Sequence, residues 1–444
     1  MKARPYLLQF CVLGAVLLQA ATSEAQPVTK IAAGGGHSLF LKSGGSLWVM
    51  GLNDYGQLGD STTTQTNWPE KILVANVTAI AAGCHHTLFS KNDGSLWVMG
   101  DNESGELGDG TVNPSTSPRK IESSGVTAVA GGEYHSVYIK DGNLWGMGFN
   151  YDGELGDGTT DDAHLSKLIA TGVTAAAAGE WHTLFLKSDG SLWAMGWNEF
   201  GQLGDGTIDR DDVNVPARIV PNGVTAIAAG WNHSLFIKND GSLWVMGNNA
   251  FGQLGDGTLD SIGINSPEKI VSSGVTAIAA GYGHSLFLKS DGSLWAMGDN
   301  GDGQLGDGSI DAQLYPEKIV AAGVTAIAAG EKHSVFLKSD GSFWGMGYNY
   351  DGELGDRTLT CPNRAEEILA AYNRVAPQLL TGNKARLAFV GIDRTDYALD
   401  RTYKLVPPTW LPQTTNTADS VGVLVFTNTP NSAMNNFWRV RSVP

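Results

Sequence analysis

Seven histidines recur along the chain at intervals of 47 to 51 residues, and a Leu-Gly-Asp triplet follows each of them. Histidine and aspartate are the residue types of zinc sites and of acid–base catalysis. The histidines are His37, His86, His135, His182, His233, His284 and His333, and the aspartates are Asp60, Asp109, Asp157, Asp205, Asp256, Asp307 and Asp356.

The regular spacing argues against chemistry at these residues. A zinc site needs three or four ligands that converge on one ion, whereas one histidine per repeat places the set on a ring. We therefore expect the histidines to bond backbone groups in buried turns, and the aspartates to hold loops through nearby amides. Two carboxylate-rich loops, 157–162 and 205–212, lack the spacing of known calcium loops. No catalytic residue, metal ligand or cofactor is predicted.

One repeat predicts the element that carries these residues. In the stretch 274–323, four short apolar runs are separated by turns rich in Gly, Asp and Ser, which is typical of antiparallel strands. The continuous apolar run Leu286–Leu288 indicates a sheet that is buried on both faces. A repeat of this length, present seven times, predicts an all-β, seven-bladed β-propeller of four-stranded antiparallel blades. We expect the repeated tryptophans to pack between the blades: Trp48, Trp97, Trp145, Trp193, Trp244, Trp295 and Trp344.

The repeated motifs resemble those of the regulator-of-chromosome-condensation (RCC-type) repeat family. The motif Asn-x-x-Gly-Gln-Leu-Gly-Asp-Gly-Thr stands at Asn198–Thr207 and Asn249–Thr258, and Ala-Ala-Gly-x-x-His-Ser precedes it in most repeats. The likeness covers about residues 27–372. Repeat three lacks one hairpin residue, and repeat seven has Arg357 where most copies have Gly. The resemblance implies a propeller, and its founding member implies guanine-nucleotide exchange on a small GTPase.

The ends of the chain differ from the repeats. Residues 1–25 have the basic start, short apolar run and small residues of a signal peptide, so we expect a secreted or cell-envelope protein of the exported bacterial type. The propeller would span 26–372, and 373–444 would form a small β module with runs at 386–390, 403–406, 421–426 and 437–440. The net charge of −16 argues against nucleic acid as a partner. No membrane span and a monomer are expected, and Cys84 and Cys361 are not expected to pair.

The variable positions of the repeats predict a binding face. In an antiparallel blade, the turn between strands one and two and the loop between strands three and four emerge on the same side, and both vary between repeats in Tyr, Trp, Phe, Asp and Glu. Aromatic residues are enriched in binding hot spots. The predicted partner-binding residues are Tyr55, Tyr134, Tyr151, Trp181, Trp197, Phe200, Trp231, Phe251, Tyr282, Tyr348 and Tyr350, with Trp181, Trp197, Phe200 and Trp231 at the centre.

These features favour a non-enzymatic binding propeller that recognises a protein or a surface glycan. Two other functions remain open. The first is guanine-nucleotide exchange, which the family resemblance implies. The second is a propeller lyase or glycosidase, which would need paired carboxylates facing a pocket.

Overall fold

The structure is a computed structural model that describes residues 27–73, 75–208 and 213–369, together with six strands between 376 and 442. Residues 28–369 form one compact unit, and the strands beyond 376 belong to a second unit. The predicted signal peptide and the run 403–406 lie outside the described residues. Within the described part of the chain, no helix is long and apolar enough to cross a membrane.

Residues 28–369 form a seven-bladed β-propeller, as the sequence predicts. Each blade is one antiparallel sheet whose four strands lie in chain order from the central channel outward. The strands are Val28–Ala33, His37–Lys42, Leu47–Gly51 and Thr66–Leu73 in blade one; Val77–Ala82, His86–Lys91, Leu96–Gly100 and Ser115–Glu122 in blade two; Val126–Gly131, His135–Lys140, Asn143–Gly148 and Ala163–Thr171 in blade three; Val173–Ala178, His182–Lys187, Leu192–Gly196 and Val213–Val220 in blade four; Val224–Ala229, His233–Lys238, Leu243–Asn249 and Asp260–Val271 in blade five; Val275–Ala280, His284–Lys289, Leu294–Gly298 and Gln313–Val320 in blade six; and Val324–Ala329, His333–Lys338, Phe343–Gly347 and Glu366–Leu369 in blade seven.

Aspartate and glycine close the hairpin between strands two and three. In blade four, Asp189 accepts bonds at Oδ1 from the backbone N–H and the hydroxyl of Ser191, and Gly190 takes a φ of +74°. The shorter hairpin of blade three places Asp141 and Gly142 both at positive φ, which is the requirement of a two-residue turn whose twist matches the strands. The missing residue of repeat three therefore changes the turn type and keeps the sheet register.

The hydrophobic core lies between neighbouring blades. The leucines of blade four pack against Phe236 and Met246 of blade five, and Trp244 covers the edge of this cluster. Phe236 and Trp244 stack with ring centroids 6.0 Å apart, and Lys238 places its ammonium 4.1 Å from the indole centroid. A Phe or Tyr stacks on the repeated Trp in all seven blades. The predicted position of the tryptophans between blades is confirmed.

Blade seven meets blade one without exchanging a strand. A glycine follows each innermost strand, and the residue after it donates its backbone N–H to a carbonyl of the next blade, as Cys84 does to Gly132 and Trp231 to Gly281. Glu331 of blade seven makes the same bond, at 3.0 Å, to Gly34 of blade one. The ring is thus closed by the same kind of contact that joins all the other neighbouring blades.

The strands of the second unit form two small antiparallel sheets. The first contains Ala376–Leu380, Lys384–Val390 and Val423–Asn428, and the second contains Leu411–Thr417, Asp396–Thr402 and Phe437–Ser442. Three of the four predicted β runs fall within or overlap these strands.

Candidate functional site

The seven histidines form a closed ring of hydrogen bonds between blades. Each Nε2 lies within 2.8 to 2.9 Å of the Ser or Thr hydroxyl that follows the histidine of the next blade. Ser234 donates its own hydroxyl to the backbone carbonyl of Gln202 at 2.7 Å, so the Nε2 of His182 is the donor to Ser234. Burial lowers the pKa of His182 to about 3. The expected bond to backbone is therefore wrong in detail, because the partner is a hydroxyl, but the structural role is confirmed.

The repeated Asn and Asp lock the long loop that follows strand three. In blade four, Asn198 donates from Nδ2 to Asp205 and Thr207 and accepts from the N–H of Leu203. Asp205 in turn accepts from the backbone and hydroxyl of Thr207. Equivalent bonds recur in the other blades, for example at Asn300 and Asp307. These side chains are committed to the scaffold, as predicted.

A buried Gln or Glu precedes each Leu-Gly-Asp triplet. Gln202 accepts the backbone N–H of Phe200 at Oε1, at 3.0 Å. Glu154 accepts the N–H of Asp152 in the same way, at 3.2 Å, while its other oxygen has no partner among the described residues. Burial raises the pKa of Glu106 to about 7 and those of Glu154 and Glu353 to about 8. These three glutamates therefore occupy a glutamine position, and each carboxyl keeps its proton to a higher pH than a glutamate in water does.

The two variable segments of each blade lie side by side. The N–H of Trp197, which opens the long loop of blade four, donates to the carbonyl of Trp181 in the first turn at 2.8 Å. Phe149 makes the same bond to Tyr134, and Tyr348 makes it to Lys332. All eleven predicted partner-binding residues lie in these two segments, as the strand order requires.

The structure groups the predicted aromatic residues into separate clusters. Trp197 packs edge-on against Trp181, with centroids 4.6 Å apart, and against Phe200 at 5.4 Å. Trp231 belongs to a different cluster with Tyr282 and Phe251. The remaining contacts are Tyr55 on His85, Tyr134 and Tyr151 on Phe149, and Tyr348 on Tyr350.

Exposure differs among these aromatic residues. Tyr151 is 68% exposed, Tyr350 60% and Phe251 38%, whereas the others are half-buried. Half-buried rings held by neighbouring rings are rigid, and a partner that covers them orders little new structure. The predicted central group of four is divided, because Trp231 lies with the residues at the central channel.

The central channel opens on this face through a cavity of about 320 Å³. Its wall is formed by the Ala and Gly residues at the ends of the innermost strands. Its rim is formed by the first variable residue of each blade, joined in blade two by His85. The rim residues are Gly35, Cys84, Glu133, Glu180, Trp231, Tyr282 and Glu331. We call this opening the channel mouth. No Lys or Arg of the described chain lines it.

The channel mouth concentrates acidic groups in a buried setting. Burial, and next the neighbouring Glu133, raises the pKa of Glu180 well above its ordinary value. Burial raises the pKa of Glu331 against the opposing effect of Lys332. Burial and the three glutamates also raise the pKa of the Cys84 thiol. Trp231 donates its indole N–H to Glu133 Oε2 at 2.9 Å, which joins blade five to blade three.

Sequence reasoning did not select the three glutamates of the channel mouth. They occupy the first variable position after the Gly that ends strand one, whereas the predicted Tyr134 and Trp181 occupy the second. The first position lines the channel, whereas the second pairs with the long loop and lines the channel only at His85. Both positions lie in the bend between strands one and two, and their constant order in all seven repeats is the signal that could have separated the two sets.

Metal binding is the other chemistry that His, Cys, Asp and Glu side chains could provide. No group of three or more His, Cys, Asp or Glu residues there could hold a metal ion. Asp209, Asp211 and Asp212 of the second carboxylate-rich loop lie outside the described residues. Both Cys84 and Cys361 are free thiols, and Cys361 accepts the backbone N–H of Asn349.

Known proteins share this repeat and this fold. A family model of the RCC1-like domain matches residues 163–390, and models of the Regulator of chromosome condensation (RCC1) repeat match 28–57, 77–106, 44–90 and 93–139. The ultraviolet-B receptor UVR8 of Arabidopsis thaliana is 35% identical over 105 residues, which are 23% of this chain and 24% of the receptor. Human protein RCC2 is 40% identical over 80 residues, 17% of this chain and 15% of that protein. The matched stretch thus spans a quarter or less of these relatives.

Solved propellers are similar over most of the chain. Prp20p of Saccharomyces cerevisiae superposes with a TM-score of 0.65 at 21% identity, covering 78% of this chain and 88% of Prp20p. Human WBSCR16 gives a TM-score of 0.64 at 22% identity, with 73% and 94% covered. At this identity the likeness concerns the fold alone. The family models, the seven repeats and the closed ring of blades together assign this chain to the RCC1-like domain family.

Proposed function

We propose that this protein is a non-enzymatic binding propeller that recognises a protein partner through the face around the channel mouth. The observation that carries the proposal is that the constant and the variable residues of the repeat have different roles. The constant His, Asn, Asp and Trp are used in bonds and packing between or within blades. The variable aromatic and acidic residues remain on one face, where they are held rigid and partly exposed.

The relatives support binding as the general role of such propellers. The study of Prp20p concerns its binding to Gsp1p and histones, and another structure has yeast RCC1 bound to Kap60. A protein ligand fits the face of this chain better than a glycan, because the aromatic rings pack against one another at their edges and faces.

The test is capture of the partner followed by a binding measurement with purified components. Trp181→Ala together with Trp231→Ala should raise the dissociation constant at least about 30-fold, since two central aromatic residues are removed. Trp68→Ala is the matched control, because Trp68 is an exposed indole on the outermost strand of blade one. Unchanged affinity in the double variant would show that the partner binds elsewhere.

We propose in addition that the protein is exported to the cell surface or the medium. The basic start and apolar run of residues 1–25 support this proposal. Mass spectrometry of the protein from its source cells should find Gln26 at the mature N-terminus. A retained Met1 in the mature protein would refute export by this route.

Guanine-nucleotide exchange is the second candidate, and the likeness of the fold to Prp20p supports it. It requires a small GTPase in the same compartment. Release of a fluorescent nucleotide from a candidate GTPase, accelerated by this protein and lost in the Trp181/Trp231 double variant, would favour exchange. Turnover of a polysaccharide by the purified protein would favour instead an enzyme that uses the paired carboxyls Glu133 and Glu180.

A further inference from the structure

The channel mouth has the chemistry of a site for an organic cation. It brings together carboxyls from three blades that are distant in sequence, Glu133, Glu180 and Glu331. The cavity of about 320 Å³ lies at the lower end of the range of ligand pockets. It therefore has room for one side chain or a small molecule.

The buried carboxyl of Glu180 is the feature of the channel mouth that most directly indicates a ligand. Glu180 is only 5% exposed, it lines the cavity, and its Oε2 has no hydrogen-bond partner among the described residues. A buried polar atom without a partner loses the full free energy of its hydration. A donor that enters the cavity would restore that bond. Burial, and next the contact with the neighbouring Glu133, raises the pKa of Glu180, and no Lys or Arg of the described chain lines the cavity beside it.

Two aromatic rings complete the mouth. Trp231 and Tyr282 line the cavity on the side of blades five and six, with ring centroids 3.4 Å apart. The indole N–H of Trp231 is fixed by Glu133 at 2.9 Å, which sets the position of both groups. Aromatic faces attract cations, and do so more strongly when water is excluded.

These features select among ligands. An anion is disfavoured because the lining offers three carboxyl groups and no Lys or Arg of the described chain. A metal ion is disfavoured because no described group of three ligands could hold one. An ammonium on an unbranched alkyl chain matches the features, since it carries three donors at a point charge and a chain that can lie against alanine and aromatic surfaces.

We propose that the channel mouth binds a primary alkylammonium group, with Glu180 and Glu133 accepting its N–H bonds and Trp231 and Tyr282 packing on its alkyl chain. The group is either the side chain of a lysine on a partner or a free amine. The site does not depend on the proposed protein-binding function, because a free amine can occupy it alone.

The experiment titrates the full-length protein with N-acetyl-lysine methylamide, n-pentylammonium and a neutral isostere of the lysine derivative, N-acetyl-2-aminoheptanoic acid methylamide, in which a methyl group replaces the ammonium. The NMR signal of the indole N–H of Trp231, assigned by its absence in Trp231→Phe, reports on the site. Both amines should shift this signal and bind at least about tenfold more tightly than the isostere, because a charged hydrogen bond forms at a buried acceptor. Tighter binding of the lysine derivative would indicate a lysine of a partner as the source, and tighter binding of pentylammonium a free amine.

Glu180→Gln should weaken amine binding about tenfold or more while keeping the fold, because the amide has the shape of the carboxyl. Glu133→Gln, which keeps an acceptor for Trp231, should also weaken it. Glu268→Gln, on the exposed outermost strand of blade five, is the matched control and should change nothing. Equal binding of the amines and the isostere, or unchanged affinity in Glu180→Gln, would overturn the site. Failure to find a protein partner would leave these titrations unaffected.

Discussion

Replacing Glu154 by Gln should stabilise the propeller at alkaline pH and leave its stability unchanged near pH 4. Glu154 is fully buried, and one carboxyl oxygen has no partner among the described residues. Its pKa rises from an ordinary 4.5 to about 8 in the folded protein. The folded state thus binds more protons than the unfolded state between these two values, so stability falls as pH rises through that window and falls no further above it.

The magnitude follows from the two pKa values. One pKa unit corresponds to about 1.4 kcal/mol, so ionisation of Glu154 costs up to about 5 kcal/mol of unfolding free energy above pH 8. The amide in Glu154→Gln would avoid this cost. Its Nε2 would have no acceptor, as the Nε2 of Gln202 has none among the described residues, because residue 149 is Phe where blade five has Asn248. Denaturant unfolding of the full chain, followed by tryptophan fluorescence from pH 4 to 9, measures the difference between variant and parent.

Two controls make the result specific. Gln202→Glu places a carboxyl at the equivalent position of blade four and should create the same loss of stability at alkaline pH. Glu268→Gln removes an exposed charge and should produce no such pH dependence. A difference between Glu154→Gln and the parent that stays constant from pH 4 to 9 would refute the assignment of Glu154 as a buried neutral acid.

Three further predictions concern the scaffold. Ser285→Ala should lower the unfolding free energy by about 1 to 3 kcal/mol, because His233 and the carbonyl of Gln253 both lose a buried partner. Ser285→Thr, which keeps the hydroxyl, should remain near the parent. Equal denaturation midpoints for all three proteins would contradict the stabilising role of the hydrogen bonds between histidine and hydroxyl. Arg357→Gly should raise the unfolding free energy by about 1 kcal/mol, since Arg357 has a φ of +72°. Gly206→Ser should lower it by a similar amount, because a Cβ at Gly206 meets no atom within 4 Å and only its φ of +93° opposes the substitution. A loss of stability in Arg357→Gly would show that side-chain contacts of Arg357 outweigh the backbone strain. The melting temperature, measured across pH, should have a maximum near pH 6.5. The histidine pKa values are lowered from 6.5 to about 3 or 4, so stability is lost as pH falls through that window, whereas the buried glutamates reduce stability as pH rises towards 8. A melting temperature that still rises between pH 7 and 9 would contradict this balance.

The sequence predicts the blades because their determinants are local. Hairpin glycines, the alternation of short strands and turns, and the repeated Trp each act within one repeat, and seven copies make the pattern unambiguous. The roles of Asn198 and Asp205 are local in the same sense, since their partners lie within nine residues. The side of the propeller that carries the variable residues follows from strand order alone.

The contacts that the sequence did not reveal join residues from different repeats. The hydroxyl partner of His182 is Ser234, 52 residues later, and the bond becomes apparent only when blades are placed side by side. The bond from Trp231 to Glu133 spans 98 residues and two blades. It depends on which of seven variable residues face one another across the channel, and that arrangement is a property of the closed ring.

The closure of the ring by ordinary contacts has a consequence for how the molecule could be rearranged. Blade one and blade seven are joined by a backbone bond from Glu331 to Gly34, a side-chain bond between His333 and Ser38, and a loop bond from Arg357 to Asn67. The same three bonds join the other neighbours, for example Trp231 to Gly281, His233 to Ser285, and Gly257 to Leu314. No interface is therefore privileged as a seam, and a chain cut between any two blades and rejoined at residues 28 and 369 would meet the same set of contacts at its new ends.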